Sequence, residues 1–457
     1  MKGIRKTALA VCLAALGLAC PMSHSLWAQD EEPDDSQIEL IIEFISDADR
    51  ETRATGLDYV RTEVPGEAAT KRFADLLPTL SPDAQVDLLD ALGDRGDVAA
   101  RPAVMGLLTA NNEQTRAAAL KTLGALGGVD EVPLLAGWAS NAEQTAARQS
   151  LIRLKGEEAN AAIIKAMATG GPDVRARLLG VLAARGAAEA LPTVLESVND
   201  PEAVVRLAAL EALRFLADEK NTAALVEMVK DAKDNAQQQK AELTLLVVCS
   251  RGGQACAEAI IAGLDDADAP SRIILLRALA RAGGPEAMEA IAARLDDDEA
   301  EAVGDEAVRM LAGWSDDAVV DRLLEIAKSD KSDRRQVLAL RGLVRLASPI
   351  EGEEGEEGEP ADVETLGKVL KLADRPEEKR LVLGVLGGVA TSDALKLAAS
   401  ALKDAKLADD AGLAAVLIAE AMEDGDKGAI RTAMGNVKKS AKNKAIIDRA
   451  DKVVESL

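Results

Sequence analysis

The chain has 457 residues, of which 48% are hydrophobic but only 2% aromatic, and its formal net charge is −24. Ala and Leu supply the apolar mass that rings usually supply. That argues against a pocket built on aromatics and for thin, closely packed helices. Such a negative field excludes nucleic acid and anionic membrane surfaces as ordinary partners.

Residues 1–28 read as an export signal. Lys2, Arg5 and Lys6 precede the apolar run "TALAVCLAALGLAC", and Ala28 is a plausible cleavage point. The run is too short to span a bilayer. A lipoprotein anchor through Cys20 fits less well, because Gly17 stands where Leu is favoured and Pro21 follows. Losing the signal removes three positive charges and no negative ones, taking the net charge from −24 to −27. His24, the only histidine, goes with it, and of four cysteines Cys249 and Cys256 remain. Nothing after Ala28 approaches 18 consecutive apolar residues, so the mature chain is expected to be exported, periplasmic or extracellular, without a membrane span.

Beyond the signal one phrase keeps returning: a turn, often with Pro, then Arg, then Leu-x-x-Leu in an Ala-rich run. It reads "NNEQTRAAALKTLGALGG" from Asn111, "GGPDVRARLLGVLAARG" from Gly170 and "NDPEAVVRLAALEALRFLAD" from Asn199. Anchored on the first apolar residue of each pair, the series is Leu57, Leu89, Leu120, Leu151, Leu179, Leu210, Leu245, Leu276, Val308, Leu340, Leu383, Val416 and Ile447. Intervals lie between 28 and 35, except 43 from Leu340 to Leu383, where the 11 residues "IEGEEGEEGEP" (350–360) are inserted. About 13 units of ~32 residues therefore fill the chain.

Each unit reads as two helices. In the sixth, residues 187–198 form the first helix and "AVVRLAALEALRFLAD" the second, with Asn199 or Asp200 as its cap and Pro201 in its first turn. Val205, Ala208, Ala209, Ala212, Leu213 and Leu216 follow a 3.6-residue period. Such a unit cannot bury its apolar face alone and must stack on its neighbours. The fold class is all-α, an α-α superhelix. Residues 29–349 hold repeats 1–10, 350–360 an acidic insert without structure of its own, and 361–457 repeats 11–13. Because the insert interrupts the pattern, it is also the expected weak join of the stack.

"DPEAVVRLAALEAL" resembles the short bacterial HEAT-like repeat, of the kind also found in phycobilin lyases, and the resemblance covers about residues 36–457. It implies a HEAT/armadillo-like solenoid in which a turn Asp and a second-helix Arg form a ladder between repeats. The matching arginines are Arg53, Arg116, Arg175, Arg206 and Arg272, with Lys379 as a substitute. Gln85, Ala147, Gly304 and Gln336 depart from the pattern. It also implies that second helices line the concave surface.

Sought chemistry is sparse. The mature chain has no histidine for acid–base work, no nucleophile elbow, no phosphate-cradling glycine loop and no zinc-type cluster, so neither cofactor nor metal is expected. "LDDDEAEAVGDE" (295–306) lacks the Gly and oxygen ligand that an EF-hand needs, and reads as a solvated acidic turn. Trp138 and Trp314 read as packing residues. Cys249 and Cys256, across a Gly-Gly turn in an oxidising compartment, are expected to form a disulfide. Residues 427–457 carry eight Lys/Arg against three Asp/Glu, a basic end suited to capping the last repeat.

One further pattern concerns binding. At ~100° per residue, the position after each anchor points well away from the core. Units eight to ten place Arg277, Arg309 and Arg341 there, with Arg281 and Arg345 one turn on. Either neighbouring carboxylates neutralise this strip, or it binds an acidic partner through forked contacts. The sequence thus points to an exported, non-enzymatic scaffold for another protein. Its alternatives are a binding module for an acidic polysaccharide or other anion and, more remotely, a tetrapyrrole lyase-like protein.

Overall fold

The computed structural model describes residues 35–138, 143–156, 158–296, 300–350, 358–422 and 425–457. The signal, residues 297–299 of the acidic turn and residues 351–357 of the insert lie outside them. Among the described residues the chain is all helical, apart from an isolated antiparallel bridge between Ile350 and Glu359.

Each anchor lies inside a second helix, from Leu57 in Arg50–Thr62 to Ile447 in Lys444–Ser456. Polar residues in the turns start many of these helices. Asp49, Asn112, Asp234 and Asp268 each accept the backbone N–H three residues on, at 2.8–3.0 Å, and Asp362 does the same at 3.0 Å for the first helix Val363–Leu372. The sixth unit differs from expectation. Its second helix is Ala203–Leu216, capped by neither Asn199 nor Asp200, and Pro201 precedes it. Asp200 is drawn away by the Glu202 N–H at 2.9 Å and by Arg175, so the helix starts later. First helices are shorter, and several open with a 3-10 turn, as at Ala188–Ala190 before Leu191–Ser197.

The chain divides into two compact units: residues 1–131 with 141–156, and 132–140 with 157–457. In the first, the second helices Arg50–Thr62, Pro82–Arg95, Glu113–Leu126 and Gln144–Arg153 pack in series. Leu89, Leu120 and Leu151 are fully buried between them and the first helices. Small polar side chains stitch these helices together. Thr122 donates to the Leu89 carbonyl at 2.9 Å, and Ser150 to that of Leu120 at 2.6 Å. A Cβ on Gly124 would lie 2.5 Å from the Ser150 Cα, so only Gly permits this approach.

The second unit has its own series through Pro172–Ala184, Ala203–Leu216, Asn235–Gly252, Ala269–Ala282, Glu301–Ala312, Asp333–Leu346, Pro376–Leu386, Ala408–Ala421 and Lys444–Ser456. Thr244 repeats the stitch, donating to the Leu210 carbonyl at 2.9 Å. The acidic insert does not interrupt this stack. The Ile350 N–H reaches the Glu359 carbonyl at 3.0 Å and the Asp362 N–H that of Ala347 at 3.1 Å. These bonds close the neck of the insert, and Asp333–Leu346 packs on both Val363–Leu372 and Pro376–Leu386. The division between units falls near residues 131–157, not at the insert.

By length and mean hydropathy (1.3), residues 235–263 would suffice to cross a membrane, which a search for unbroken apolar runs misses. Gly253, at φ 55°, ends the first helix there, and a 3-10 turn leads to Ala257–Gly263. Both helices bury side chains against neighbouring repeats, as at Leu245 and Ile260.

Candidate binding surface

The ladder position serves backbone carbonyls before it serves carboxylates. Arg116 donates to the Ala110 and Asn111 carbonyls at 2.8 and 3.2 Å, and Arg206 to those of Asp200 and Pro201 at 3.1 and 2.9 Å. Arg53 and Arg175 reach Asp47 and Gly170 similarly, and Arg272 reaches Leu264. These carbonyls end the first helix or its turn, where intrahelical donors run out. The guanidinium fork then extends to the next repeat. Arg116 meets Glu143 at 2.7 Å, Arg206 meets Gln237 at 3.0 Å, and Arg175 holds Asp200 with bonds of 3.2 and 3.0 Å. Arg53 lies 3.6 Å from Asp87. Burial pushes the Asp200 carboxyl up, but the Glu202 N–H and Arg175 outweigh it and hold the group below its ordinary value.

Two departures in the sequence keep half of this role. Gln85 donates to the Leu77 carbonyl at 2.9 Å, and Gln336 to that of Asp330 at 2.8 Å. Gly304 is filled from outside. A Cβ there would lie 2.5 Å from Arg335 Nη2, because Arg335 of the following repeat occupies the space. Arg335 donates to the Leu295 and Glu301 carbonyls at 3.0 Å each and to Asp305 at 2.6 Å. Sequence register alone could not reveal this substitution, since Arg335 stands one place before its own repeat's ladder position.

The arginine strip is neutralised. Arg277 donates to Glu306 and Glu242, both at 2.8 Å. Arg309 also binds Glu306, and Arg341 donates to Glu378 at 3.0 Å. Both Glu306 and Glu378 are buried, at 3% and 1% exposure, so each depends on its arginines for charge balance. Arg345 caps a helix, donating to the carbonyls of Ala312 and Trp314. Arg281 alone of the five is exposed with neither a side-chain hydrogen bond nor an ion pair among the described residues.

The other singled-out residues pack. Trp314 is buried and Trp138 half-buried at the end of Val132–Trp138. A cavity of about 400 Å³ beside Trp314 is lined by Met288, Met310 and the Gly283–Gly284 turn, and Asp316 is its one titratable group. Asp316 accepts the Ala318 N–H as a helix cap, so this cavity holds no acid–base pair. Cys249 and Cys256 stand as free thiols, both fully buried. Burial pushes the Cys249 thiol up, and the neighbouring Cys256 adds to it. In the basic end, Lys438 pairs with Asp451 and Arg449 with Glu420.

Apolar side chains left in solvent are what the sequence reading passed over. Val204 (45% exposed), Phe215 (63%), Leu243 (47%), Leu381 (45%), Leu413 (39%) and Leu417 (37%) all lie on second helices. They fall outside the core period, and that position is the signal the sequence carries for them.

The sequence matches the family model for HEAT repeats over residues 70–154, 160–245 and 257–343, more than half of the chain. The chain belongs to the HEAT-repeat family. Among solved structures, the karyopherin Kap121p bound to the SUMO protease Ulp1p is similar at 13% identity and a TM-score of 0.50, covering 97% of this chain and 54% of that one. Importin beta is similar at 12% identity and a TM-score of 0.34, covering 92% and 72%. The CpcE–CpcF complex of phycocyanin lyase from a Nostoc species matches at 19% identity and a TM-score of 0.23, covering 63% of this chain and 100% of that one. The chain thus spans about half the length of the karyopherin it matches, and the likeness to that karyopherin is one of fold. No curated protein matches the sequence.

Proposed function

We propose that this HEAT-repeat chain is an exported, non-enzymatic scaffold that binds another protein through the exposed faces of its second helices. One observation carries the reading: six large apolar side chains stand in solvent on those helices, in a chain of which 29% is charged. Protein interfaces keep such residues at their centre and exclude charge there. A karyopherin of similar fold binds a protein, which agrees with this use of the architecture. Residues 1–28, with their basic start and short apolar run, support export to the periplasm or outside the cell.

Binding of an acidic polysaccharide is less favoured. It would have to pull Arg277, Arg309 and Arg341 from carboxylates, two of which are buried. The test is photocrosslinking. A photoreactive residue at Leu243 or Leu417 of chain 29–457, incubated with its own cell envelope, is expected to yield a discrete protein adduct from at least one position. Adducts with glycan alone, or none from either, refute the scaffold reading.

A further inference from the structure

Three consecutive second helices each carry a net positive charge inside an acidic chain. Ala203–Leu216, Asn235–Gly252 and Ala269–Ala282 together hold seven Arg/Lys and two Glu, within a chain of net charge −24. Acidic residues of the joining turns, Asp218, Asp234 and Asp268, are engaged as helix caps. The same three helices carry an apolar strip on their outer side.

At ~100° per residue, positions five after and two before an anchor point in nearly the same direction, opposite to the core. Phe215 is five after Leu210, Leu243 two before Leu245, and Arg281 five after Leu276. These three therefore stand on the same outer face of adjacent helices, with Leu243 about 10 Å along the axis from the level of Phe215 and Arg281. Val204 lies three turns before Phe215 on the same side of its helix. Phe215 is the most exposed of the large apolar residues, and the Arg214 guanidinium lies over its ring, 5.9 Å from the centroid. Arg214 and Lys240 share Glu211, whose carboxyl the Lys240 hydrogen bond holds below its usual range, so one carboxylate serves two cations.

Resting on the scaffold reading, we propose that this strip is the docking site for an acidic amphipathic segment of a partner protein. Its apolar face would cover Phe215 and Leu243, and its carboxylates would meet Arg281 and the edge formed by Arg214 and Lys240. Adjacent helices lie roughly 8–10 Å apart, so three of them span roughly 20 Å. A helical segment of about 14 residues at ~1.5 Å each covers that distance.

The test uses two fluorescent 14-residue amphipathic peptides, one of Leu and Glu, the other of Leu and Lys, titrated into chain 29–457. The proteins are wild type, Phe215→Ser/Leu243→Ser and Arg281→Glu, each checked for unchanged helical circular dichroism; all three side chains are exposed. Expected are binding of the Leu/Glu peptide by wild type, at least tenfold loss in the double variant, and a loss with flatter salt dependence in Arg281→Glu. The Leu/Lys peptide should be indifferent to all three changes. The inference is overturned if wild type does not bind the Leu/Glu peptide, if the variants bind it as wild type does, or if both peptides weaken equally. The scaffold reading fails separately, when crosslinking recovers no protein.

Discussion

Replacing Arg335 by Ala should unravel the repeat before it more than its own. The guanidinium is 11% exposed and donates to Asp305 at 2.6 Å and to the Leu295 and Glu301 carbonyls at 3.0 Å. Hydrogen bonds to charged groups are worth ~1.5–3 kcal/mol each, and an unpaired buried acceptor costs a similar amount. Because Leu295 and Glu301 are not buried, water recovers part of two of these, which leaves a loss of about 3 kcal/mol. If the larger unit melts as one, this corresponds to roughly 5 °C. The control is Arg334→Ala, where the side chain is 68% exposed and 3.7 Å from the same Asp305, with an expected change of ~0.5 kcal/mol or less. Thermal melting by circular dichroism gives the magnitude, and hydrogen exchange gives the place: amides of Glu301–Ala312 should lose protection first. Arg335→Lys should recover little, because an ammonium cannot serve three separated acceptors as a fork does. Equal melting of Arg334→Ala and Arg335→Ala would refute the claim that Arg335 fills the place left by Gly304.

Further outcomes are open to measurement. In folded, reduced protein near neutral pH, Cys249 and Cys256 should resist a thiol-alkylating reagent and react only on unfolding. Since burial raises Cys249 above its usual 9.0, the stability tied to it is complete below pH 9 and declines as the unfolded thiol ionises above that. Asp200 and Glu211 are held below their ordinary values, so their contribution is complete above the usual carboxylate range and lost as pH falls through it, which acid titration of the melting temperature should show. A glutamate-specific protease should cut first within residues 350–360, and the two pieces should still co-migrate on native gels. The closed neck and the Arg341–Glu378 pair at 3.0 Å keep them joined.

The repeat was legible because burial acts on every unit in the same way. A 3.6-residue period and a turn every ~32 residues place each anchor in its helix without reference to any neighbour. What a neighbour contributes was not legible. Asp200 is held by Arg175, 25 positions earlier, and does not cap the second helix of its own repeat. The neck of the insert depends on Ile350 and Glu359 meeting, which a Glu/Gly composition does not encode. Gly304 looked like a gap in the ladder because register compares like positions, whereas Arg335 arrives from an unlike one.

The arginine strip carries the same lesson into function. A helical wheel says where a side chain leaves its own helix, and Arg277, Arg309 and Arg341 do leave on the outer side. It does not say that Glu306 leaves its helix toward Arg277, or that Glu378 on Pro376–Leu386 is 1% exposed beneath Arg341. A buried carboxylate needs a cation far more than an exposed cation needs a carboxylate, because desolvation falls on the group inside. These arginines are therefore committed before any ligand arrives. Phe215 and Leu243 are under no such claim. Their exposure costs free energy in the isolated chain, and a partner's apolar face would recover it. Uncommitted apolar exposure, rather than charge alone, is thus what favours the proposed docking face over the arginine strip.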